Sequence, residues 1–68
     1  MTEKQKKAAI EHLTTLYRVV CFYSDAQNIG TDKYRKAAGY FYSACEMLQV
    51  LYGEDVEQEL RMAAVLAD

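Results

Sequence analysis

Val19-Val20-Cys21-Phe22-Tyr23 is the stretch whose reading decides the fold. β-Branched and aromatic residues at that density favour a strand. A strand, however, needs a neighbour to satisfy its backbone N–H and C=O groups, and no second run of this composition occurs in the 68 residues. The same five residues also fit the end of a long helix. At about 100° per residue, Ala9, Ile10, Leu13, Leu16, Tyr17, Val20, Cys21 and Tyr23 fall in one broad apolar stripe. The stretch therefore reads as helix, and the chain as all-α.

Working outward, Asn28-Ile29-Gly30-Thr31-Asp32 forms one break and Gly53-Glu54-Asp55 the other, with no proline anywhere. These signals predict a helix over about 3–29, ended by Gly30, and a second over about 33–52 with Thr31 or Asp32 as its N-cap. A short third helix follows over about 56–67, opened by Asp55 with Gln58 in a capping-box-like pattern. A link of about three residues folds the first two into an antiparallel hairpin within a single three-helix domain, residues 1–68. Centring the turn near Gly30 sets Val20 against Phe41, Leu13 against Leu48, and Ile10 against Leu51 and Tyr52. The apolar half of the second helix is Tyr34, Ala37, Ala38, Tyr40, Phe41, Ala44, Cys45, Met47, Leu48, Leu51 and Tyr52. Val56, Leu60, Ala63, Ala64 and Ala67 form the matching face of the third.

The net charge of −2 gives no broad field for a polyanion, which disfavours nucleic acid as a partner. The charge is unevenly spread: residues 1–36 sum to +3 and residues 37–68 to −5, so the halves attract each other within or between chains. Lys4, Lys6 and Lys7 are expected to approach Glu54, Asp55, Glu57 and Glu59. No stretch reaches the about 18 consecutive apolar residues of a membrane span, and the polar start from Met1 to Lys7 lacks a secretory pattern. Cys21 and Cys45 are too few for a disulfide scaffold and read as reduced packing residues. The expected location is the cytoplasm.

Chemistry has little to build on. There is no glycine-rich phosphate loop, Cys-x-x-Cys or His-Glu-x-x-His, hence no expected metal or cofactor. His12 is the only histidine, and Cys21 lies more than two helical turns away from it. No catalytic residues are assigned. A basic and aromatic cluster at the start of the second helix, Lys33, Tyr34, Arg35 and Lys36 with Tyr40, could hold an anion or a nucleotide at free helix amides.

Surface is what remains. Val19, Phe22, Ala26 and Ile29 form a second stripe on the first helix that a hairpin plus one short helix cannot cover. A chain this short gains from oligomerisation, so these four residues are expected at a self-association contact. Tyr42, Met62, Val65 and Leu66 point away from the core and suit contact with another protein. The expected function is a small non-enzymatic protein-interaction module. It would form a homodimer or larger bundle and dock on or inhibit a larger protein, as compact acidic regulators and inhibitors of bacteria and phages do. The alternative is a small-ligand or nucleotide-binding module built on the Lys33–Lys36 cluster.

Overall fold

A computed structural model describes residues 1–67. It contains three helices, α1 (Glu3–Phe22), α2 (Asp32–Tyr52) and α3 (Glu54–Ala67), and no strand among the described residues. Two of the starts are capped by threonine. The Thr2 hydroxyl accepts from the Gln5 N–H, and the Gln5 side chain accepts from the Thr2 N–H, a reciprocal capping box. Thr31 opens α2, its Oγ1 accepting from the Tyr34 N–H at 3.3 Å.

The first helix is shorter than its sequence suggests, ending at Phe22 rather than near Ile29. Local side-chain bonds end it. The Ser24 hydroxyl donates to the Cys21 carbonyl at 2.7 Å, and the Asp25 carboxylate accepts from both the backbone and side-chain amides of Asn28 at 2.9 Å. Such bonds offer the backbone an alternative to the helical ladder. Residues 23–31 thus form a nine-residue connection, with Gly30 (φ 90°) inside it and not at a helix end. Ala26 and Ile29 lie beyond α1, so Val19, Phe22, Ala26 and Ile29 do not make one helical stripe, although all four are exposed.

The third helix starts earlier than expected. Gly53 (φ 96°, ψ 164°) is the sole residue between α2 and α3. Its N–H donates to the Gln49 carbonyl, and its own carbonyl accepts from the Glu57 N–H. Asp55 therefore lies in the first turn of α3 and is not its cap. With Glu54 and Glu57 it places negative charge against the positive end of the helix dipole.

Packing follows from these lengths. Tyr17 faces Phe41 with ring centroids 5.4 Å apart, and Ala9 and Leu13 share a groove with Leu48 and Ala44. α1 and α2 therefore run antiparallel. Lys6 reaches Glu59, and Ala67 at the end of α3 lines a groove with Thr14, Thr15 and Arg18 of α1, which sets α3 parallel to α1 in an up-down-up bundle. The core is Leu13, Phe41, Cys45, Leu60 and Ala64, ringed by Ala9, Ile10, Leu16, Tyr17, Val20, Ala44, Leu48 and Val56.

The expected hairpin register holds in part, since Leu13 and Leu48 line one groove, and departs from expectation towards both ends. Phe41 meets the ring one turn before Val20, and Ile10 turns to α3 while Leu51 and Tyr52 stand exposed. Tyr40 and Met47 are exposed as well. The resulting body is a slab of 40 × 22 × 15 Å.

Gly39 sits mid-way along α2 with no atom near the position a Cβ would take. Gly39→Ala is expected to stabilise the fold by about 0.5–1 kcal/mol through lost unfolded-state freedom. Thermal unfolding should register this as a melting point a few degrees higher.

Candidate functional site

Among the described residues, no three His, Cys, Asp or Glu side chains converge as a metal site would require. His12 is exposed on the wall of the groove between α1 and α2, where its neighbours are Ala9, Leu13, Ala44, Met47 and Leu48. None of these can act as a nucleophile or an orienting acid. No helix among the described residues is long and apolar enough to cross a membrane.

Both cysteines are free, Cys21 exposed and Cys45 buried beneath α3. Burial pushes the Cys45 thiol upward, and the negative charge of Glu57 adds to this against an opposing effect from Arg61. A native-state thiol titration should find Cys21 reacting promptly and Cys45 only on unfolding. The sign for stability follows from the raised value. From about pH 8.5 upward the unfolded thiol ionises first, so stability falls with pH until the folded thiol ionises too. That alkaline slope should be absent from Cys45→Ala, as urea titrations at several pH values would reveal.

Glu57 is the polar group that pattern reading missed. Its side chain is only 9% exposed, and Oε2 lies 3.0 Å from the Nε of Arg61 on the next turn. The alignment is poor, since Oε2 accepts no hydrogen bond. The i,i+4 spacing of opposite charges was the available signal. In the same half of α3, Lys6 and Glu59 pair at 2.7 Å, and this contact raises the lysine pKa, its hydrogen bond more than its plain charge attraction. Lys6 is the member of the basic N-terminal cluster that meets an acid of α3.

The basic cluster is an open rim. Lys33, Arg35, Lys36 and Tyr40 are exposed, Tyr34 is half-buried, and none of them lines the groove between α1 and α2. Arg35 lies 3.9 Å from Asp32 of its own first turn, and Thr31 already caps the Tyr34 amide.

The surface also carries many apolar side chains. Thirteen large apolar side chains are exposed among the described residues, against six buried apolar residues in the core. Those named from sequence fall in separate places: Val19, Phe22 and Ile29 near the long connection, Tyr42 on α2, and Met62, Val65 and Leu66 on α3. Phe22 stacks edge-on against Tyr23 at 5.0 Å and is still 73% exposed. Sequence reasoning assigned Tyr40, Met47 and Leu51 to the core. With Val50 they form an exposed apolar stripe along α2, beside the groove that Ala9, His12 and Leu13 line from α1.

No known protein family matches the chain, and neither the curated proteins nor the solved structures contain a detectable relative.

Proposed function

We propose that this protein is a non-enzymatic interaction module that self-associates and docks on or inhibits a larger protein. The observation that carries this reading is the excess of surface. A folded monomer of 7.8 kDa exposes about 4,400 Å², whereas this chain exposes 4995 Å². Its radius of gyration is 12.4 Å, where a compact chain of this length has about 11 Å. Thirteen large apolar side chains are exposed among the described residues, and exposed apolar patches mark surfaces that bind other proteins.

The α3 residues Met62, Val65 and Leu66, with Tyr42 on α2, supply a face for the larger partner. Light scattering over a range of concentrations tests self-association: a mass near twice 7.8 kDa supports it, and a monomer at every concentration overturns it. A protein retained on the wild-type chain and lost on Leu66→Asp supports docking through α3, and equal retention on both argues against it.

A further inference from the structure

We infer that the partner in self-association is a second copy of this chain lying across α2, with the two α2 helices antiparallel about a two-fold axis that passes between Ser43 and Ala44. This rests on the self-association reading above and assigns it a surface. Tyr40, Met47, Val50 and Leu51 lie on one side of α2 and are 58–75% exposed. Ser43 and Ala44, at the middle of the stripe, are small enough for two backbones to approach. A two-fold axis there sets Tyr40 against the second copy's Met47, and Met47 against the second copy's Tyr40, the self-complementary arrangement that such a dimer requires. Each copy's α2 also lies along the other's α1–α2 groove, which is lined by Ala9, Leu13 and Leu48.

Charge fixes the direction. α2 begins with Lys33, Arg35 and Lys36, and Glu54 and Asp55 follow its end. Among the described residues Lys33, Lys36, Glu54 and Asp55 form no ion pair within the chain. Antiparallel pairing brings Lys33 to the second copy's Glu54 at both ends of the interface, whereas parallel pairing would set like charges together. The same contact accounts for Lys33 in a helix's first turn, where the dipole disfavours positive charge.

Sedimentation equilibrium on the wild type and four variants tests this. Met47→Asp should raise the dimer dissociation constant about thirtyfold or more, as loss of a central contact does, with helicity by circular dichroism unchanged because the side chain is outside the core. Phe22→Asp should leave the dimer intact. Lys33→Glu should weaken it at low salt, and adding Glu54→Lys should restore it. A wild type that dimerises while Met47→Asp dimerises equally well overturns the α2 interface and leaves self-association standing. So does a failure of Glu54→Lys to rescue Lys33→Glu. A wild type that is monomeric throughout overturns both.

Discussion

Leu60→Ala is expected to remove about 3–5 kcal/mol of stability, enough to leave much of the chain unfolded at 37 °C. Leu60 is wholly inaccessible and packs in the core with Leu13, Phe41, Cys45 and Ala64. Truncation loses the transfer energy of the side chain and leaves a cavity that three short helices can close only by shifting. At about 0.05–0.15 kcal/mol per residue a domain of this length has only about 3–10 kcal/mol in total. Urea denaturation followed by circular dichroism should find the midpoint collapsed or the transition gone. A loss under about 1 kcal/mol would mean that the three helices are not packed as described. Dimer formation adds stability by mass action, so the comparison belongs at one fixed chain concentration.

The second large effect is an asymmetry between the two members of the Glu57–Arg61 pair. Arg61→Met leaves a carboxylate that is nine-tenths buried without its counter-ion, at a cost of about 1–3 kcal/mol. Glu57→Met leaves an arginine whose side chain is 39% exposed and can hydrate, and it removes an oxygen that accepts no hydrogen bond. That substitution should be close to neutral, as replacing buried charge by apolar volume often is. The double variant should recover most of what Arg61→Met loses. Equal losses from the two single changes would show that the pair is held by something other than the carboxylate's burial.

The helices were legible in the sequence because their punctuation is simple. Thr31, Gly53 and the absence of proline delimit α2, and the spacing of Leu60 and Ala64 gives the buried face of α3. The end of α1 was not, because Val19 to Tyr23 continue its apolar pattern, and the bonds that stop it come from Ser24 and Asp25, which a periodicity count passes over. The exposed stripe of α2 was hidden for a different reason. Apolar residues cover half of that helix, and periodicity alone cannot say which part of so wide a face two neighbours will cover. Only the packing of Tyr17 on Phe41 reveals that Met47 and Leu51 are left outside. Glu57 reads from sequence as one of the acids facing the N-terminal lysines, but its position beside Leu60 carries it inward.

The unequal links between helices have a kinetic consequence. One glycine joins α2 to α3, while nine residues separate α1 from α2, and short closures cost the least chain entropy. The α2–α3 pair is therefore expected to assemble early and α1 to dock on it afterwards. Trimming Val56 should then slow folding, whereas trimming Ala9 should mainly speed unfolding. On this view the order of assembly is the reverse of the order in which the ribosome releases the chain, and α1 must wait for nearly all that follows it.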